Sequence, residues 1–224
     1  MRQNELELKD IDSEDLEDLL ARIATSFNIS FEEGELMHIT TFGQLCDHIK
    51  DKIQLESAED CTSQQAFYKL REALSLMFQT DKKIISPDTL LVNFFPRQNR
   101  RRKVEELEER LGFKINIVGP PQWLVGTLIF LMIGSVLGSF VEKTLGLIGV
   151  FSFVGLQLAI KLGNELKVKT IGQAAEEMAR ENYMRSRRNP QTFNKAEIEK
   201  ILTDWFSDHF YINKNKLNRD AKFA

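Results

Sequence analysis

Cysteine is scarce in this chain, two residues in 224, and the three histidines are scattered at His38, His48 and His209. Cys46 and Cys61 have no paired spacing and no histidine cluster nearby, so neither a disulfide framework nor a metal centre is expected. Reduced thiols in a cytoplasmic compartment are the reading that remains. Also missing are a Gly-x-Ser-x-Gly elbow, a glycine-rich phosphate loop and any metal-spaced His or Cys pair. The chain is therefore not expected to be an enzyme in its own right. Asp204, Asp208 and His209 share a helix without a nucleophile and read as a solvated face. The first 20 residues are acidic and lack the apolar core of a secretory signal. Convincing strand alternation is absent as well, which leaves an all-α chain.

What is present is unevenly distributed. Residues 1–60 hold 16 acidic and 5 basic side chains, a local charge of −11, which leaves +8 on the remainder of a chain whose net charge is −3. No nucleic-acid partner is expected for that acidic part, because it has little to neutralise phosphates. It suits docking against basic patches on other proteins.

The longest apolar stretch is 122–162. Trp123 to Val141 carries no charge, and after Glu142 and Lys143 a second arm runs from Leu145 to Ile160. A domain this small cannot wrap both arms, so the pattern predicts a two-helix transmembrane hairpin with the lipid bilayer as its partner. Glycines at 126, 134 and 138 in one arm, and 146, 149 and 155 in the other, allow close helix packing and a homo-oligomer through the hairpin. Arg97, Arg100, Arg101, Arg102 and Lys103 precede it; Arg180, Arg185, Arg187 and Arg188 follow it. By the positive-inside tendency both termini are cytoplasmic and the protein resides in the inner membrane with two spans.

The remaining segments read as amphipathic helices. Phe67, Leu70, Leu74 and Met77 share one face; so do Val104, Leu107 and Leu111, and Ile198, Ile201, Trp205 and Phe206. Near the N-terminus, Asp12 or Ser13 can cap a helix whose first turn is acidic and whose stripe is Leu16, Leu19, Leu20 and Ile23.

Residues 19–49, LLARIATSFNISFEEGELMHITTFGQLCDHI, resemble the second half of an acyl carrier protein. Phe27, Ile29 and Phe31 stand where that family has its Phe-x-Ile-x-apolar turn. Glu32, Glu33 and Glu35 form the acidic segment that follows, and Ile39, Thr40, Thr41, Gly43 and Leu45 match the start of its last helix. The family's first helix is missing here, and residues 198–224 resemble it, down to a Leu-x-x-Asp-Ala-x-Phe turn at Leu217, Asp220, Ala221 and Phe223. The resemblance thus implies a circularly permuted unit, with helices II to IV in 1–60 completed by helix I in 192–224. Segments 62–118 and 164–188 repeat the order as a second carrier-like unit. Phe113, Ile115 and Ile117 echo the first turn; Val168, Thr170 and Gly172 echo the last helix; the hairpin 122–162 is inserted between. The fold expected is two small acyl-carrier-like helical bundles plus the transmembrane hairpin.

In that family 4'-phosphopantetheine is attached to the Ser of an Asp-Ser-Leu motif. The family's spacing, counted back from Phe27, falls on Ser13, preceded by Asp12, with Glu14 where Leu is usual. The same count from Phe113 falls on Asn99, which has no hydroxyl, and Ser86 reads as a turn residue. The resemblance implies a membrane-anchored carrier presenting an acyl group at Ser13 to acyl-transfer or synthase enzymes docking on the acidic 1–60 surface, in lipid or secondary-metabolite synthesis. The alternative is a non-catalytic membrane adaptor whose pseudo-carrier bundles bind partner proteins, with Ser13 a plain helix cap.

Overall fold

The computed structural model describes residues 7–139, 144 and 146–223. The described chain is predominantly helical, with strand pairing limited to two-residue stretches. The helices are α1 (Ser13–Phe27), α2 (Phe42–Lys52), α3 (Thr62–Phe78), α4 (Arg100–Leu111), α5 (Gln122–Ser139), α6 (Gly146–Leu162), α7 (Ile171–Glu181), α8 (Tyr183–Ser186) and α9 (Lys195–Phe210). Two compact units result: Met1–Leu70 with Ala175–Ala224, and Arg71–Ala174.

In the first unit, α9 packs against α1 and α2 although most of the sequence separates them. Their apolar faces converge on one core: Leu19, Leu20, Ile23 and Phe27 from α1, Phe42, Leu45 and Ile49 from α2, and Ile198, Leu202, Trp205 and Phe206 from α9. Phe42 and Phe206 meet edge to face with centroids 5.2 Å apart, a geometry that the ring quadrupoles favour. The C-terminal segment then returns to α2. Phe42 N–H donates to Ala221 O at 2.8 Å, Gly43 N–H to Arg219 O at 2.9 Å, and Phe223 N–H to Thr40 O at 3.0 Å. Gly43 is required at this crossing, since a Cβ there would lie 2.8 Å from Arg219 O. A parallel pair, β1 (Glu56–Ser57) with β4 (Thr192–Phe193), joins the two chain segments again, while β2 (Val118–Gly119) and β3 (Glu165–Leu166) form an antiparallel pair in the second unit.

The second unit contains the same crossing. Ile171 N–H donates to Thr89 O and Gly172 N–H to Pro87 O, at 2.9 and 2.8 Å. A Cβ on Gly172 would lie 3.0 Å from Pro87 O. Both α2 and α7 begin with a Thr and Gln three residues apart, Thr41 with Gln44 and Thr170 with Gln173, in which the Thr hydroxyl accepts the Gln N–H and the Gln carbonyl caps the preceding amides. The approach loops also match. Asn213 caps the 3-10 turn Lys214–Lys216 as Asp81 caps Lys82–Ile84, and Tyr211 and Gln79 both take positive φ after a helix.

The transmembrane hairpin is not there. Among the described residues, no helix is long and apolar enough to cross a membrane. Helices α5 and α6 have 18 and 17 residues, which at 1.5 Å per residue rise roughly 27 and 26 Å, short of a hydrocarbon core of about 30 Å. The two-span topology and the inner-membrane location inferred from it fall with this, as do the membrane anchor and the bilayer as the hairpin's partner. The tip residues Glu142 and Lys143, on which the orientation rested, lie outside the described residues. Three of the flanking arginines are accounted for otherwise. Arg187 is 1% exposed and Arg100 is buried, each with its donors on carbonyl or hydroxyl oxygens, and Arg180 pairs with Glu177 and Asp208. α5 and α6 instead pack closely on each other as an antiparallel pair within the second unit.

Candidate functional site

The start of α1 is set by a short acidic approach. Leu8 is buried and pins the 3-10 turn Leu8–Asp10, while Glu7 N–H donates to Asp10 Oδ2 at 3.0 Å. Asp12 then adopts an extended backbone and its Oδ1 accepts the Glu14 N–H at 2.9 Å. Asp12 is therefore the cap, and Ser13 is the first helical residue. Its side chain is exposed, and among the described residues its hydroxyl has no hydrogen-bond partner.

The surroundings of that hydroxyl are acidic. Glu14, Asp15, Glu17 and Asp18 are all exposed on the first turns of α1, away from the buried Leu19, Leu20, Ile23 and Phe27 that fix the helix in its unit. Glu14, which replaces the leucine of the family motif, is solvent-facing rather than buried.

Further along α1, Arg22 fixes the helix against α9. Its guanidinium lies 4.7 Å from the Trp205 ring centroid, bonds Glu181 at 2.6 Å and approaches His209 Nδ1 at 3.3 Å. Burial and the Arg22 charge hold the His209 pKa below its ordinary value. Asp204 is paired with Lys214 and Asp208 with Arg180, so Asp204, Asp208 and His209 serve the packing of the unit.

The turn segment between α1 and α2 carries a cluster that the sequence reading missed. Glu35 accepts from His48 Nε2 at 2.9 Å, from Lys52 Nζ and from the Glu32 amide. The Phe31 ring stacks on His48 and Lys52 sits over Phe31 at 5.6 Å. The signal available was a helical spacing, His48 and Lys52 four residues apart, facing an acidic loop. The Lys52 hydrogen bond, with the Glu32 amide, lowers the Glu35 pKa from 4.5 to about 2. A carboxylate with a depressed folded pKa contributes stability that is present above the unfolded value and lost as pH falls through the folded one. Acid titration followed by NMR should show Glu35 charged until about pH 2. The unfolding free energy should fall between pH 4.5 and 2, with a shallower slope in Glu35→Gln. A Glu35 that titrates near 4.5 would contradict this.

Both cysteines are free. Cys46 is buried, which pushes its thiol up to about 12, and Cys61 is exposed. Among the described residues no group of His, Cys, Asp and Glu could hold a metal ion.

In the second unit Asn99 caps α4 by position only, without a side-chain bond. Arg100 follows it, donating to Phe95 O at 3.0 Å and to Asn164 O, so this end is basic where α1 is acidic. Ser86 and Thr89 close a turn on each other. A cavity in the first unit lies by Thr25–Ile29, Lys52–Leu55 and Met184. It is at the far end of α1 from Ser13 and belongs to no site assigned here. No family model, no curated protein and no solved structure matches this chain.

Proposed function

We propose that the first unit is an acyl-carrier-type module in which Ser13 accepts a phosphopantetheine arm from a separate transferase. The acidic start of α1 is then the surface on which acyl-transfer or synthase enzymes dock. One observation carries the reading: Asp12 does the capping, so the Ser13 hydroxyl is left exposed and unbonded at a helix N-terminus ringed by carboxylates. The transferase supplies metal and base. The acceptor need only present a hydroxyl on a rigid helix with a charged rim that the partner can recognise. On this reading the protein is not itself an enzyme, and the acyl group is carried as a thioester on the arm.

Intact-mass spectrometry after coexpression with a broad-specificity phosphopantetheinyl transferase tests it. The expected result is a single phosphopantetheinyl addition that Ser13→Ala abolishes. A wholly unmodified mass overturns it. Glu14, in place of the family's leucine, favours a second reading, a protein-docking adaptor without the arm. In that case partners co-purify equally with wild type and Ser13→Ala, and are lost when Glu14, Asp15, Glu17 and Asp18 are neutralised.

A further inference from the structure

The seam of the α5–α6 hairpin includes small and polar side chains. Ser135 and Ser152 are buried between the helices, and Ser135 Oγ donates to Met132 O at 2.8 Å. A Cβ on Gly149 would come 2.2 Å from Ser135 Oγ, and one on Gly155 would touch Leu128. The large apolar side chains face the other way. On α5 the exposed positions Trp123, Gly126, Phe130, Ile133 and Leu137 follow one another at intervals of three and four; on α6, Leu147, Phe151, Val154 and Leu158 do the same. Phe130 and Phe151 are 75% and 74% exposed. This alternation is a 3.5-residue period, the spacing with which one helix seats another.

Small residues on α5 reinforce the point. Gly126 and Gly134 have nothing within 4 Å of where a Cβ would stand, so they are not used by the hairpin's own seam. They leave shallow places on the exposed face where a second helix backbone can come close. The two stripes together expose on the order of 1,000 Å² of apolar surface, taking aromatic side chains at roughly 150–250 Å² each and aliphatic ones somewhat less. Monomeric proteins leave patches of about 300–600 Å², and a stable dimer covers about 800 Å² on each partner. No charged side chain interrupts either stripe, so nothing in it selects a charged partner. The partner has to be uncharged, helical and of the same period, and the same face on a second copy is all three.

We propose that α5–α6 is a dimerisation element. Two hairpins pack face to face across a two-fold axis into a four-helix bundle, with the α5 stripe of each copy in the centre. The full-length protein, prepared without detergent, should sediment as a dimer at micromolar concentration. Phe130→Glu combined with Phe151→Glu should raise the dissociation constant at least about 100-fold while leaving helical circular dichroism unchanged. A second variant guards against misfolding: Gly134→Cys in a Cys61→Ser background should form a disulfide-linked dimer on mild oxidation. A wild type that stays monomeric overturns the proposal. So does one that is monomeric and floats with phosphatidylcholine vesicles, which gives the face to an amphiphile. A double-glutamate variant that still dimerises as wild type also overturns it, since another surface is then responsible. None of these outcomes touches the Ser13 reading, which stands or falls on the mass measurement.

Discussion

A chain ending at Asn194 loses the fold of its first unit, although α1 and α2 are left intact in sequence. The deleted part supplies Ile198, Leu202, Trp205, Phe206, Phe210, Ile212 and Leu217, all buried in the core that α1 and α2 share. At about 1.5–3 kcal/mol for each fully buried apolar side chain, the loss is on the order of 10–20 kcal/mol. That exceeds or equals the about 5–15 kcal/mol by which whole domains are stable. The truncation also removes the Ala221 and Arg219 carbonyls that receive the first amides of α2. Amide spectra of the truncated chain should show residues 13–52 collapsed to unfolded dispersion, with native dispersion restored by adding a peptide of residues 195–224. A truncated chain whose α1 and α2 amides keep native shifts and slow exchange would refute the dependence. The single substitution Trp205→Ala should cost about 3–5 kcal/mol in denaturant unfolding, as expected for a large buried aromatic ring.

The α9 face was legible because it rests on periodicity, whereas its place beside α1 and α2 was expected only from the resemblance to acyl carrier proteins. Ile198, Trp205 and Phe206 announce a buried helix face by spacing alone, and α9 carries all three into the core. Thr41 and Gly43 were expected only as matches to the family's last helix; the structure uses them for a capping box and a tight crossing with the C-terminal segment. At Ser13 the sequence left two caps possible, because Asp and Ser both cap helices. Only the backbone shows that Asp12 takes the role.

What the sequence misled on is the hairpin. Hydropathy counts apolar residues along the chain, but among the described residues no helix is long and apolar enough to cross a membrane. The arginines around it misled for a related reason. A charge tally treats Arg187 as it treats exposed Arg188, though one is buried with its donors satisfied and the other faces solvent. The Glu35 cluster was missed because its members are contributed by a turn and a helix. Their meeting depends on how that turn folds back, which spacing does not encode.

Arg187→Ala should destabilise the first unit by about 3–5 kcal/mol, the range for removing one member of a buried charged network. Its guanidinium donates to Asp60 O at 3.2 Å, to Thr62 Oγ1 at 2.7 Å and to Thr192 Oγ1 at 3.2 Å, and lies 5.7 Å from the Tyr183 ring centroid. Among the described residues no carboxylate bonds it directly. The balancing charge is Glu197, which accepts the Thr62 amide at 3.0 Å and sits one Thr62 or Tyr183 away from the guanidinium. The network therefore fastens three chain segments at once: the start of α3, the stretch from α8 to β4, and the first turn of α9. Alanine leaves a cavity, takes the arginine donor from two hydroxyls and leaves Glu197 without its cation, so the cost combines desolvated polar groups with lost packing. Arg187→Lys should recover only part of it, because one ammonium cannot reach Asp60, Thr62 and Thr192 together. The discriminating measurement is a double-mutant cycle in urea with Glu197→Gln. If Glu197 is the counter-charge, Arg187→Ala costs measurably less in the Gln background, by about 1 kcal/mol or more. Strict additivity would instead mean that the arginine acts through its neutral acceptors alone, and a loss below about 1 kcal/mol for Arg187→Ala itself would mean that the network does not hold these segments.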